Sequence, residues 1–88
     1  MSPDQLNWLS EQAAQMQSVV EVGSLHGRSA FALLTACDGP VYCIDPWPDP
    51  YYDSFMEKCR HFPNLVAIRA CSPAAADQVP DVDMVFLD

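Results

Sequence analysis

Three carboxylates stand at or near the ends of apolar runs in this 88-residue chain: Glu21 in Val19-Val20-Glu21-Val22, Asp45 after Val41-Tyr42-Cys43-Ile44, and Asp88 after Asp83-Met84-Val85-Phe86-Leu87. A carboxylate in such a run is costly unless it is paired or faces a ligand. There it can balance a positive charge or accept two hydrogen bonds from a vicinal diol. Between the first two carboxylates lies Gly23-Ser24-Leu25-His26-Gly27-Arg28-Ser29. Gly23 permits a tight turn, and Gly27 lets a helix entrance approach a ligand closely. In an open α/β sheet these groups gather beyond the carboxyl ends of the strands, where ligands bind.

The elements that must carry them can be read in order. Ser2-Pro3-Asp4-Gln5 is a helix start, with Ser2 as cap, Pro3 in the first turn and Gln5 closing a capping box. Leu6, Leu9, Ala13 and Met16 form its apolar stripe, and Trp8, off the centre of that stripe, is expected to be partly buried packing. Residues 18–22 read as a first strand with valines on both faces, as a covered parallel strand requires. A helix over residues 28–37 turns Ala30, Phe31, Leu33 and Leu34 inward, and Gly39-Pro40 stops it. After the second strand, three prolines stiffen Pro46-Trp47-Pro48-Asp49-Pro50. A helix over residues 51–61 follows, with Phe55, Met56, Cys59 and Phe62 as its apolar side and Lys58 and Arg60 on the far face. Residues 65–69 are a third strand, Ser72-Pro73 opens a short helix, and residues 83–87 are a fourth strand. Right-handed crossovers set the strands side by side with helices on both faces, and the usual reversal after the third strand makes the order 3-2-1-4. This is a Rossmann-like, doubly wound parallel α/β sheet, with strands one and four flanking the switch point.

Bulk composition narrows the partners. Half the residues are hydrophobic, so a packed core is expected. Twelve acids against four bases give a net charge of -8, which argues against a nucleic-acid surface. No apolar run is long enough to span a membrane. Cys37, Cys43, Cys59 and Cys71 show neither C-x-x-C nor zinc spacing, and read as reduced, buried cysteines of a cytoplasmic protein, with Cys71 a buried or loop cysteine. Cys71 has no histidine positioned by sequence to activate it as a nucleophile.

Electrostatics then choose among ligands. A dinucleotide brings a doubly charged pyrophosphate to a G-x-G-x-x-G turn. Here Leu25 takes the middle-glycine position, Glu21 adds repulsion, and no P-loop lysine is present. Asp45, twenty-two residues after Gly23, stands where α/β nucleotide folds place the acid that binds ribose hydroxyls. A ribose, a base and a positive centre fit better, and S-adenosylmethionine carries all three. Trp47 has two readings, a stacking platform for a planar base or a hydrophobic plug over the sheet edge. His26 is either an exposed loop residue or a ligand contact.

With these motifs assembled, Glu21–Ser29, Cys43-Ile44-Asp45-Pro46-Trp47, Ser72-Pro73-Ala74-Ala75-Ala76 and residues 83–88 resemble class I S-adenosylmethionine-dependent methyltransferases. The likeness is to the small-molecule O-methyltransferase and cephalosporin-hydroxylase-like branch, and covers the chain from Val19 onward. The resemblance implies that Glu21, Gly23, Ser24 and Gly27 surround the methionine part of the cofactor. Asp45 would hold the ribose, Trp47 would border the adenine, and Ser72 would lie near the adenine edge. Asp88 would sit by the transferred methyl as a catalytic residue. In metal-dependent members an acid there also binds a divalent ion such as Mg, which orients the acceptor hydroxyl of a small molecule.

The family fold has seven strands and this chain supplies four. Residues 1–88 are therefore expected to form a single, truncated cofactor-binding domain, led by a helix within residues 1–17, that does not turn over alone. Its fourth strand would associate with a second copy or with the carboxyl-terminal half. The competing readings are a non-catalytic adenosyl-binding module that associates through that strand, and a nicotinamide-dependent enzyme, which Leu25 and Glu21 disfavour.

Overall fold

The computed structural model describes residues 2–24, 27–71 and 82–87. Its elements are α1 (Pro3–Ala13), β1 (Val19–Val22), α2 (Arg28–Ala36), β2 (Val41–Asp45), α3 (Tyr51–Cys59), β3 (Leu65–Arg69) and β4 (Met84–Leu87). All four strands are parallel, in the order β3-β2-β1-β4. The order expected from the alternation of strands and helices is the order found.

Register sorts the side chains of the sheet onto two faces. Val19 is level with Val41 and Met84, and Val41 with Leu65. Together with Glu21, Cys43, Ala67 and Phe86 these positions lie on one face, and the buried residues of α1, α2 and α3 cluster there: Leu9, Ala13, Ala30, Leu33, Leu34, Phe55 and Cys59. Val20, Ile44 and Ile68 form a second cluster on the opposite face. The three described helices thus share one face. The short helix expected at Ser72-Pro73 lies outside the described residues.

Local chemistry accounts for the helix ends. The Ser2 backbone N–H donates to Gln5 Oε1 at 2.7 Å and the Gln5 N–H donates to Ser2 Oγ at 3.2 Å, which is the capping box. No glycine closes α2. Instead the Asn64 side-chain amide donates to the carbonyls of Cys37 and Gly39 at 3.0 Å each and of Leu34 at 3.4 Å, serving carbonyls that the helix itself leaves open. The amino-terminal rim is tied together similarly. Gln17 N–H donates to Asp83 Oδ2 at 2.8 Å, and Val19 N–H donates to the Pro40 carbonyl at 3.1 Å.

Two expectations are corrected. Phe31, expected to face inward, is 47% exposed, with its ring edge-on to Phe62 at 5.3 Å. At 100° per residue the buried stripe centres on Ala30, Leu33, Leu34 and Cys37, which leaves Phe31 at its border. Trp8 is 56% exposed rather than partly buried, because Leu9 and Ala13 alone of α1 are fully inside.

Candidate functional site

The carboxyl edge of the sheet gathers the glycine turn and Asp45. β1 ends at Val22, and Gly23 follows at φ 89°, a left-handed conformation that glycine adopts without a Cβ penalty. Its N–H donates to the Ile44 carbonyl at 2.8 Å, locking the turn to the end of β2. Gly27 closes the turn at φ 81°, with its N–H on the Ser24 carbonyl at 2.8 Å and its own carbonyl accepting from Phe31 N–H to start α2. A Cβ at Gly27 would meet Phe55 Cδ2 at 3.1 Å and Cys59 Sγ at 3.3 Å, so both backbone conformation and space call for glycine.

Glu21 sits beneath this turn with no exposed surface, on the helical face of β1. Its Oε2 accepts a hydrogen bond from Ser29 Oγ, in the first turn of α2. That bond fastens the strand to the helix entrance and gives the buried carboxylate a partner, as its cost requires. Ser24 is also buried at the turn, with its hydroxyl beside the Cys43 thiol. Burial first, and the charge of Glu21 second, push the Cys43 thiol strongly up. The same two causes push Cys59 up to about 11. Both thiols therefore stay protonated at neutral pH and are not nucleophiles. With Cys37 also buried and Cys71 exposed, a thiol reagent is expected to label Cys71 rapidly in the native chain and the other three only on unfolding. Rapid labelling of two or more would contradict the packing described.

Asp45 ends β2, level with Arg69 of β3, and is 7% exposed. Its Oδ1 accepts the Trp47 backbone N–H at 2.7 Å. Of the two readings of Trp47, the geometry is that of the plug. The indole has no exposed surface and packs against Phe55 at 4.5 Å and Tyr52 at 5.6 Å between ring centroids. It therefore presents no open face for a base to stack on. The physical reason lies in α3, whose first turns bring Tyr52 and Phe55 over the loop. Trp47 adopts φ 38°, unusual for a bulky residue.

Glu21, Gly23, Ser24, Gly27 and Asp45 are thus brought to one corner of the sheet, at the ends of two adjacent strands. Ser72, Asp88 and His26 lie outside the described residues. Among the described residues no group of three or more His, Cys, Asp or Glu could hold a metal ion. Likewise, no helix is long and apolar enough to cross a membrane. Two residues were missed in the sequence. Ser29 was legible as a hydroxyl in the first turn after the glycine loop, within reach of an acid one strand back. Arg69 gave no local signal. Its guanidinium donates to the Trp47 carbonyl from Nε at 3.1 Å and Nη2 at 2.8 Å, to the Pro46 carbonyl at 3.4 Å and to Asp49 Oδ1 at 2.9 Å, and lies 4.6 Å over the Tyr52 ring.

No protein-family model and no curated protein sequence matches the chain. Solved structures do match. The O-methyltransferase TomG of Streptomyces achromogenes, in complex with SAM, superimposes with a TM-score of 0.86 at 21% identity, covering 100% of this chain and 44% of that one. The O-methyltransferase of Bacillus cereus, in complex with SAH, gives 0.84 at 18% identity, covering 100% and 45%. The SAH-bound methyltransferase PaMTH1 of Podospora anserina gives 0.84 at 16%, covering 100% and 41%. The chain spans less than half the length of these structures. Over that span, its four-stranded parallel sheet with the order 3-2-1-4 is the Rossmann-like fold of these methyltransferases.

Proposed function

We propose that this chain is the cofactor-binding portion of an S-adenosylmethionine-dependent methyltransferase that acts on a hydroxyl of a small molecule. The observation that carries the reading is the corner at the carboxyl ends of β1 and β2, where a glycine turn over a buried carboxylate adjoins a strand ending in Asp45. The residues fit the cofactor. Gly23 and Gly27 hold the two ends of the turn in the left-handed conformation, and Asp45 supplies a carboxylate to accept from the ribose hydroxyls. Glu21 beneath the turn makes its potential negative, which suits a cationic methionine moiety and opposes a pyrophosphate. That the similar structures include O-methyltransferases in complex with SAM or SAH supports the same choice.

S-adenosylmethionine, when bound, supplies an activated methyl on its sulfonium. The protein's part is to hold acceptor and donor in line. Gly23, Ser24 and Gly27 would line the methionine end, with Glu21 and Ser29 keeping the turn in place. Asp45 would fix the ribose, with Trp47 bordering the adenine side through the loop that it anchors, and Ser72 near the adenine edge. Asp88 would stand by the transferred methyl, orienting the acceptor hydroxyl directly or through a Mg ion. The acidic net charge and buried thiols support a cytoplasmic location and a small-molecule acceptor.

Calorimetric titration with S-adenosylhomocysteine beside NAD tests the reading. Saturable binding of the first alone is expected. Binding of NAD alone would revive the nicotinamide reading, and binding of neither by a folded chain would remove the cofactor assignment. A second reading, a non-catalytic module that associates through the fourth strand, is supported by the place of β4 at the sheet edge, with Val85 59% exposed. It predicts cofactor binding with no loss of affinity in Asp88→Ala, and concentration-dependent dimers in sedimentation.

A further inference from the structure

We infer that Arg69 is a positioning residue for the Asp45 carboxylate, acting across two strands through the backbone of Trp47. The relay has two links. Arg69 grips the Trp47 carbonyl from Nε and Nη2 at 3.1 and 2.8 Å. The N–H of the same residue donates to Asp45 Oδ1 at 2.7 Å. With φ at 38°, the amide and carbonyl of Trp47 are turned to serve both partners at once. A bulky side chain holds such a backbone conformation only where its surroundings over-determine it. Three constraints do so here: the indole is sealed against Phe55 and Tyr52, the N–H is held by Asp45, and the carbonyl is held by Arg69.

The ion pair of Arg69 with Asp49 is not what matters. The two side chains are 43% and 79% exposed, and a pair so open to water contributes little. What the contact with Asp49 and the position over Tyr52 do is aim the guanidinium plane at the carbonyl. Without the guanidinium the peptide that follows Trp47 loses its anchor, and the residue can relax toward negative φ. That swings the N–H away from Asp45 and loosens the carboxylate's rotamer. A carboxylate that must reorient before it binds gives weaker binding than one already in place.

The effect on binding rests on Asp45 being the ribose acceptor, as proposed above, whereas the relay itself does not. Two measurements separate them. In a double-mutant cycle read by S-adenosylhomocysteine calorimetry, Arg69→Met is expected to weaken binding about tenfold in the wild-type background and not further in Asp45→Ala. Arg69→Lys, which lacks the planar fork, should recover only part of the loss. Equal losses in both backgrounds, or none in either, would overturn the proposal. Independently of any cofactor, hydrogen exchange of the Trp47 amide, read by NMR, is expected to accelerate about tenfold or more in Arg69→Met while amides of α1 keep their rates. An unchanged Trp47 rate would also overturn it. An accelerated Trp47 amide in a chain that binds no S-adenosylhomocysteine would leave the relay standing and count against the cofactor assignment instead.

Discussion

Asp45→Ala is expected to weaken S-adenosylhomocysteine binding about 100-fold, because the two charge-assisted hydrogen bonds proposed to the ribose, each contributing roughly 1.5 kcal/mol, would be lost together. The substitution also removes the acceptor of the Trp47 N–H, held at 2.7 Å. Part of the loss therefore comes from a loop that no longer presents the edge correctly. Asp45→Asn separates the two contributions. Its Oδ1 still accepts from Trp47, but it offers the ribose a neutral acceptor and a donor amide, so a loss of about tenfold is expected. Because Asp45 is only 7% exposed, both variants need a thermal unfolding midpoint beside the titration. A shift of a few degrees is compatible with a binding effect. If Asp45→Ala bound with unchanged affinity, the ribose assignment would fall.

Gly39→Ala is expected to have the largest effect on stability, on the order of 3 kcal/mol or more. A Cβ at Gly39 would lie 1.6 Å from the Gln17 carbonyl oxygen and 2.8 Å from its carbon, inside the backbone of the turn between α1 and β1. Neither side can yield cheaply. Gln17 is held by its N–H on Asp83 Oδ2, and the Gly39 carbonyl is held by Asn64. The collision would thus part the rim on which β1, β2 and β4 begin. For a domain of this size that is a large share of its total stability. Denaturant unfolding reads the effect directly. A Gly39→Ala midpoint equal to wild type would mean that the two turns do not touch as described.

Much of this fold was legible because its signals are local. Val19–Val22 and Val41–Asp45 are short apolar runs closed by turn residues, and Ser2 with Gln5 gives a helix start by its own geometry. The strand order followed from right-handed crossovers together with the reversal usual after the third strand of a doubly wound sheet. The corner of Gly23, Gly27 and Asp45 was readable for the same reason, since each closes or follows a strand.

What escaped the sequence depends on neighbours distant along the chain. Asn64 serves the end of α2 from beyond the next strand and helix, where no capping pattern could mark it. The orientation of Trp47 was decided by Tyr52 and Phe55, which crowd the indole into the core. An aromatic residue beside an acid suits a plug and a platform equally well until that packing is known. Arg69 looked like the polar end of a strand, and its connection to the Asp45 loop exists only because β3 lies beside β2 in register. Phe31 shows the converse, an apolar residue whose hydrophobicity suggested burial but whose angle around α2 put it at the surface.

The proposed function requires the adenosyl cofactor to bind at the corner formed by the ends of β1 and β2. The most direct test is a nitrogen–proton correlation spectrum of the chain titrated with S-adenosylhomocysteine. Saturable shifts are expected in the amides of Gly23, Ser24, Gly27, Asp45 and Trp47, with the exposed amides of α1 unmoved. A folded spectrum whose shifts fall elsewhere, or that does not change at saturating ligand, would contradict it.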